Sequence, residues 1–265
     1  MAELADARAS RARGRNSVRV RISPRAQKFI NMFKLKSFRN NFVWTPEIAY
    51  AIGLLVTDGC LSKDGRHIIM RSSEKSLLKI FKNCLKIKNK IGKTKKGKIV
   101  SYRIQFGNKQ FYNWLLKIGL TPAKTYTINK IKIPELYFKD FLRGHLDGDG
   151  NILFYTDRYN FYKGRNYNNQ RVFVRFISAS KKHLNWLRQK IIKLVGVKGA
   201  FIVNKPKSIN RVLMYEIKFA KKESIKLLKW IYYKKHIPCL KRKRAIAEKA
   251  IKMILKEKRR RYTFI

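Results

Sequence analysis

The sequence is poor in acidic residues. Its 265 residues include 15 Asp and Glu against 64 Lys and Arg, which gives a formal net charge of +49. Self-repulsion at this charge is large, so the composition favours a polyanionic partner, with nucleic acid ahead of an acidic membrane surface. Disorder along the whole chain is excluded, because apolar residues make up 45% of it and can form one large core or two small ones.

Long apolar runs and clustered cysteines are also missing. The longest apolar stretch, residues 48–56, is far shorter than the roughly 20 residues that a membrane-spanning helix requires. Cys60, Cys84 and Cys239 form no Cys-x-x-Cys pair, which argues against a zinc knuckle or a disulfide framework. We therefore expect no membrane partner, and a reducing intracellular compartment (bacterial cytoplasm or organelle matrix) rather than secretion.

The beginning of the chain differs in composition from the rest. Every basic residue in 1–26 is Arg, interleaved with Ala and Ser, whereas Lys dominates downstream together with Ile, Asn, Tyr and Phe. We predict a basic, disordered tail over residues 1–30. Two origins stay open for it: a functional arm, or read-through from a neighbouring tRNA gene.

From Thr45 the hydrophobic periodicity changes type in a repeated order. The first unit is predicted to begin with a helix at 46–56 capped by Thr45, followed by strands near 59–62 and 66–71. A helix capped by Ser73, a Lys-rich hairpin over about 90–107 and a last helix at 109–118 complete it. The order α-β-β-α-β-β-α recurs from Pro134. Residues 71–77 match 178–184 at an offset of 107, and residues 102–106 match 215–219 at an offset of 113.

These matches predict an α+β fold made of two pseudo-symmetric repeats. The expected boundaries are 42–126 and 134–245, with antiparallel sheets that form a saddle and with the first helix of each repeat at the centre. A basic C-terminal helix and tail is expected over 246–265. The second repeat is longer, because a hairpin at 155–170 carries an insertion rich in Arg, Asn and Tyr.

Alternation within the predicted strands separates an apolar face from a basic one. Ile104 and Phe106 lie on the face opposite Arg103 and Gln105, and the same order recurs in the second repeat. Because Arg, Lys, Gln and Asn recognise base edges in the major groove, we expect double-stranded DNA as the partner. The expected contacts lie on the basic strand faces and adjoining hairpins, at Arg66, Arg71, Arg103, Gln105, Arg158, Arg165, Asn168, Arg171, Arg175, Lys205 and Lys218.

Each repeat opens with a helix that ends in Asp-Gly. Residues 51–59 read AIGLLVTDG and residues 142–150 read LRGHLDGDG, and in both a Gly lies five positions before the Asp of the final Asp-Gly pair. A single Asp-Gly pair is most simply explained as a turn at a helix C-terminus. Repetition at equivalent positions favours a site, because an Asp at a helix C-terminus opposes the helix dipole.

Both nonapeptides resemble the motif of the LAGLIDADG homing endonucleases, in the single-chain form with two motifs. The resemblance implies that the motif helices pack side by side at Gly53 and Gly144. It also implies a shared catalytic and metal centre at Asp58 and Asp149, with Gly59 and Gly150 beside them and with Mg²⁺ or another divalent cation bound.

The activity implied by the resemblance is hydrolysis of both DNA strands at a long, asymmetric target. Such cleavage would promote mobility of the protein's own intron or gene, and the enzyme would be a monomer with internal pseudo-two-fold symmetry. An RNA-binding intron maturase on the same fold is the alternative, with intron RNA as partner. Intact acidic residues in both motifs favour cleavage.

Other residues of this centre are harder to place. Family members often carry a Lys near the centre after the last helix of each half, and Lys124 and Lys241 are the expected counterparts. The second assignment can shift by two residues within the basic run 241–244. Asp147, whose counterpart in the first motif is Val56, is interpreted as a turn or solvent-facing residue rather than a metal ligand.

Overall fold

Two units with the same order of elements make up this computed structural model, which describes residues 42–162, 165–206 and 212–262. The first unit contains α1 (Pro46–Asp58), β1 (Gly59–Leu61), β2 (His67–Ser72), α2 (Lys75–Leu85), β3 (Gly92–Lys96), β4 (Ile99–Gly107) and α3 (Lys109–Ile118). A short helix, α4 (Lys124–Thr127), and a 3₁₀ turn (Glu135–Tyr137) lead to the second unit. The predicted tail at 1–30 lies outside the described residues.

The second unit repeats the order of the first with longer strands. It contains α5 (Phe138–Asp147), β5 (Asn151–Tyr162), β6 (Arg165–Ser178), α6 (Lys181–Val195), β7 (Ala200–Asn204), β8 (Met214–Phe219) and α7 (Lys221–Ile231), followed by α8 (Lys241–Tyr262). The α+β class and the α-β-β-α-β-β-α order are confirmed. No helix within the described ranges is both long enough and apolar enough to cross a membrane.

Each unit folds its strands into one antiparallel sheet of four. The strand orders are β1-β2-β4-β3 and β5-β6-β8-β7, so the two sheets have the same topology. Ile104 and Phe106 are buried on one face of the first sheet, as the alternation predicts. Arg71 lies directly opposite Arg103 in the β2–β4 ladder, so both point to the other face.

The helices α1 and α5 pack against each other at the centre of the molecule. Helix α1 begins after Thr45, whose hydroxyl accepts a hydrogen bond from the Ile48 amide at 3.2 Å, and it is buried along residues 48–56. A Cβ atom at Gly53 would overlap the carbonyl oxygen of Phe141, and one at Gly144 would overlap the carbonyl oxygen of Tyr50. Glycine at both positions therefore lets the two backbones approach closely.

Strand pairing corrects the alignment of the two units by one residue. Met70 pairs with Ile104 in the first sheet and Phe176 pairs with Ile217 in the second, so the offset at the second strand is 106 rather than 107. The helix that follows shifts with it, so His183 is the counterpart of Leu77. The predicted cap at Ser73 is wrong for the same reason, since α2 begins after Glu74 and α6 begins after its counterpart Ser180.

Candidate active site

Asp58 and Asp149 come together where the two central helices end. Asp58 is the last residue of α1, and Asp149 lies two residues beyond the end of α5. Burial raises the pKa of the Asp58 carboxyl to about 6, and repulsion from Asp149 contributes to the rise. Burial also raises the pKa of Asp149, although its side chain is partly open to solvent. The structure therefore places two interacting carboxylates at one centre.

Two buried lysines bind the backbone around these carboxylates. Lys124 Nζ donates hydrogen bonds to the carbonyl oxygens of Gly59 at 2.6 Å and Thr57 at 3.3 Å. Its counterpart in the second unit is Lys243, whose Nζ lies within hydrogen-bond distance of four carbonyl oxygens, at 2.6 to 3.3 Å, those of Leu146, Asp147, Gly148 and Gly150. Cations in these positions satisfy the free carbonyls of each helix end and oppose the negative end of its dipole.

Lys243 occupies the place that the sequence assigned to Lys241. Helix α8 starts at Lys241, which is exposed, whereas Lys243 is 5% exposed. Lys243 shares the buried face of the helix with Ala247, Ala250 and Ile254. That spacing of four, seven and eleven residues is a helical periodicity, and it could have identified Lys243 from the sequence.

The glycines of the Asp-Gly pairs have a structural explanation that the aspartates lack. A Cβ atom at Gly59 would lie 2.6 Å from Leu55 Cα, and one at Gly150 would lie 2.7 Å from Leu146 Cα. The chain therefore turns back tightly over the last turn of each helix. Both glycine carbonyls accept a hydrogen bond from a lysine ammonium group, which leaves each oxygen one further lone pair, and metal binding at Gly59 and Gly150 stays a prediction.

Asp147 is buried, and its interpretation as a solvent-facing residue is wrong. Its side chain is 2% exposed. Oδ2 accepts hydrogen bonds from the Tyr50 hydroxyl at 2.7 Å and from the Leu240 amide at 2.7 Å. Burial raises the pKa of Asp147 to about 6, against the effect of these two donors.

A second buried polar cluster, centred on two histidines, lies beside Lys124. His145 Nε2 lies 3.2 Å from His183 Nε2, and His183 Nδ1 donates to the carbonyl oxygen of Asn129 at 2.7 Å. Burial lowers the pKa of both imidazoles, so both are neutral. The two histidines are 38 positions apart, so no local spacing in the sequence marks the pair.

In the first sheet the expected DNA contacts share one face. Arg71 and Arg103 are cross-strand partners, and the Arg103 guanidinium donates to the Gln105 side chain. Arg66 is exposed in the turn before β2. The structure thus brings these four residues to the outer face and edge of the sheet.

In the second sheet the expected contacts are partly neutralised by acidic neighbours. Arg171 Nε lies 3.0 Å from Asp157 Oδ2, and Arg175 lies 3.6 Å from Glu216. Lys218 pairs with Arg175 across the β6–β8 ladder. Arg158 and Lys205 are exposed, whereas the side chains of Arg165 and Asn168 lie outside those that the structure describes.

Comparison with known proteins identifies the fold of this chain but finds no match at the level of sequence. No protein-family model matches the chain, and no curated protein sequence matches it. Among solved structures, the LAGLIDADG homing endonuclease I-SmaMI bound to cleaved DNA matches at 13% identity with a TM-score of 0.52, over 84% of this chain and 93% of that one. The homing endonuclease I-WcaI bound to its DNA recognition sequence matches at 12% identity with a TM-score of 0.51, over 86% and 95%.

A differently named protein matches equally well. Full-length DUF199/WhiA from Thermatoga maritima has 15% identity and a TM-score of 0.51, and the match covers 86% of this chain but 66% of WhiA. The chain therefore has the LAGLIDADG fold, in the arrangement found in homing endonucleases and in WhiA.

Proposed function

We propose that this protein is a metal-dependent endonuclease that cuts both strands of a specific DNA target. The observation that carries the proposal is the meeting of Asp58 and Asp149 at the ends of two packed helices, each with a buried lysine nearby. In the described part of the chain, no protein group donates a hydrogen bond to either carboxylate, although burial opposes their ionisation. Groups held in a disfavoured state without a structural partner are typical of functional sites.

The residues of this centre fit a hard divalent cation. No cluster of three or more His, Cys, Asp or Glu occurs within the described ranges, so the protein side chains offered to a cation are the two carboxylates. Mg²⁺ is commonly held by one or two carboxylates and keeps water and phosphate oxygens as its other ligands. A cation held by Asp58 and Asp149 would supply positive charge at the scissile phosphate.

Each half would contribute one carboxylate to cleavage of one strand, and its buried lysine would add positive charge beside it. Asp58 and Asp149 must be ionised to bind the cation, so cation binding would compete with the protonation that burial favours. Lys124 uses two of its three N–H groups on carbonyl oxygens, so one remains for a phosphate oxygen. A positive charge there would stabilise the negative charge that develops during phosphodiester hydrolysis.

The partner proposed for this centre is double-stranded DNA. I-SmaMI and I-WcaI were both solved with DNA, and the outer faces of both sheets here carry the basic residues expected to contact it. Basic strand faces would read base edges, while the lysines of the hairpins and of α8 would contact phosphates. The excess of basic residues would supply most of the affinity.

The test is cleavage of a randomised duplex library with Mg²⁺, followed by sequencing of the new ends. We expect defined double-strand breaks with the wild-type protein and none with Asp58→Asn or Asp149→Asn, which should still bind the selected duplex. Glu248→Gln, which removes an exposed carboxylate on α8, is the matched control and should cut normally. Cleavage by the double Asp58→Asn, Asp149→Asn protein would overturn the assignment.

Binding of nucleic acid without cleavage is the second candidate. The match to DUF199/WhiA favours it, because a protein that is not named as an endonuclease has this fold with a comparable TM-score. A structured intron RNA and the same duplex library, compared in a binding assay, separate the two roles. Tight, selective binding of the RNA together with intact DNA in Mg²⁺ would favour the maturase reading.

A further inference from the structure

Neither site lysine belongs to a motif helix. Lys124 lies in the segment that connects the two units, and Lys243 lies in the first turn of α8. Both segments must therefore be held against the motif helices by other contacts. Two different sets of hydrogen bonds do this.

The first set holds the start of α8, and we name it the tyrosine tie. Asp147, at the end of α5, accepts the hydroxyl of Tyr50 from α1. The same oxygen, Oδ2, accepts the amide of Leu240, the residue before α8. One carboxylate oxygen thus joins both motif helices to the segment that carries Lys243, three residues further on.

The second set holds the connecting segment, and we name it the histidine tie. His183 Nδ1 donates to the Asn129 carbonyl, so its Nε2 accepts the Nε2 proton of His145. The hydroxyl of Ser180 donates to the neighbouring carbonyl of Ile128 at 2.5 Å. The Ile128 amide in turn donates to the carbonyl oxygen of Lys124 at 2.8 Å.

Pseudo-symmetry shows that the core does not require these polar groups. The motif offset of 91 residues makes Phe141 the counterpart of Tyr50, and Val56 the counterpart of Asp147. The same offset pairs His145 with Leu54, and the strand register pairs His183 with Leu77. All four counterparts are buried and apolar. Each tie therefore occurs once, and the equivalent positions of the other repeat are filled by apolar side chains that pack in the core.

We propose that the tyrosine tie positions Lys243 and the histidine tie positions Lys124, so that the two lysines can be released independently. Tyr50, Asp147, His145 and His183 are positioning residues that act through the lysines. The assignment of one strand to each lysine rests on the proposed nuclease function. The placement of the lysines does not.

The counterpart residues supply the test variants. Asp147→Val breaks the tyrosine tie, and the double variant His145→Leu, His183→Leu breaks the histidine tie. Brief acetylation with acetic anhydride, read for each lysine by mass spectrometry, measures the exposure of each amine. We expect Lys243 to react faster in the first variant with Lys124 unchanged, and the reverse in the second.

Equal changes at both lysines, or no change at either, would overturn the proposal. Melting curves establish that each variant is folded. If Asp147→Val does not fold, Tyr50→Phe removes one hydroxyl from the same tie and places at residue 50 the side chain found at residue 141. It should raise the reactivity of Lys243 alone, by less than Asp147→Val would.

Cleavage of a duplex labelled separately on each strand gives the second readout. Each variant should slow one strand by about tenfold or more and leave nicked duplex, and the two variants should spare opposite strands. A loss of folding alone would slow both strands equally. If the wild-type protein cuts no duplex, the proposed function fails, while the acetylation pattern still decides whether the ties hold the lysines.

Discussion

Asp58 carries a charge that the folded state disfavours. Its folded pKa of about 6 lies above the ordinary value near 4 because of burial and repulsion from Asp149. The protonated carboxyl is therefore stabilised by folding, and this contribution is present below about pH 4 and lost as the pH rises through 6. At pH 7 the ionised group lowers the free energy of unfolding.

Replacing Asp58 by Asn should abolish cleavage and stabilise the protein at the same time. Asn keeps the shape without the charge, so at pH 7 we expect a gain of about 1–2 kcal/mol, less than the roughly 2.7 that two pKa units represent because solvent screens part of it. The difference should disappear below about pH 4. Urea unfolding of both proteins between pH 4 and 8 measures it, and a destabilised variant at pH 7 would contradict this reading.

Lys243 and Lys241 form a matched pair for a second prediction. Lys243→Met removes the ammonium group from four carbonyl oxygens, so we expect a loss of about 1–3 kcal/mol in stability and a strong fall in cleavage. Lys241→Met changes an exposed side chain and should stay within about 0.5 kcal/mol. Thermal unfolding and strand cleavage are measured for both variants. A larger loss of stability and cleavage in Lys241→Met than in Lys243→Met would assign the site role to Lys241.

Single residues were predictable from sequence where a repeat marked them. Asp58 and Asp149 were predicted because each ends an equivalent motif, and the structure brings the two residues together, while their catalytic role stays a prediction. Lys243 was missed by two positions, since four consecutive basic residues conceal which one faces inward until the helix is counted from its buried alanines. Asp147 was misjudged because its partners, Tyr50 and Leu240, are 97 and 93 residues away in the sequence, and no local pattern indicates such contacts.

At the scale of elements, the crossing of α1 and α5 depends on the absence of two side chains. Gly53→Ala and Gly144→Ala would each place a methyl group against a backbone carbonyl of the other helix. Backbone cannot move aside as a flexible side chain does, so we expect about 3 kcal/mol or more of destabilisation. Gly92→Ala is the control, because its nearest neighbour would be a carbonyl at 3.7 Å. If Gly53→Ala leaves the free energy of unfolding unchanged, the two helices pack less closely than described.

Helices and strands were largely predictable because their periodicities differ. Alternation identified the outer face of β4, and the N-cap at Thr45 with Pro46 marked the start of α1. The one-residue error between the units arose from matching Leu77 to Leu184. In the second unit a histidine fills the core position of that leucine, and a pattern built on apolar residues passes over it.

For the whole molecule, the basic charge predicts strongly salt-dependent binding. The logarithm of the DNA association constant should fall linearly with the logarithm of salt concentration, with a slope of about −0.9 for each phosphate neutralised. Lys95→Gln, in the Lys-rich hairpin whose lysines would contact phosphates, should reduce the steepness by about 0.9. Lys117→Gln, on an exposed helix position, should leave the slope unchanged. Fluorescence anisotropy across a salt series measures both variants, and equal slopes would mean that Lys95 contacts no phosphate.

The strand lengths of the two sheets have a consequence for how the protein lies on a duplex. The first strand has 12 residues in the second sheet and 3 in the first. At about 3.3 Å per residue, nine further residues extend about 30 Å, which equals roughly nine base-pair steps. Hydroxyl-radical footprinting should therefore reveal protection that reaches farther on one side of the cut than on the other. A molecule with arms of unequal length can distinguish left from right on DNA, and a symmetric footprint would show that the longer strands project away from the helix.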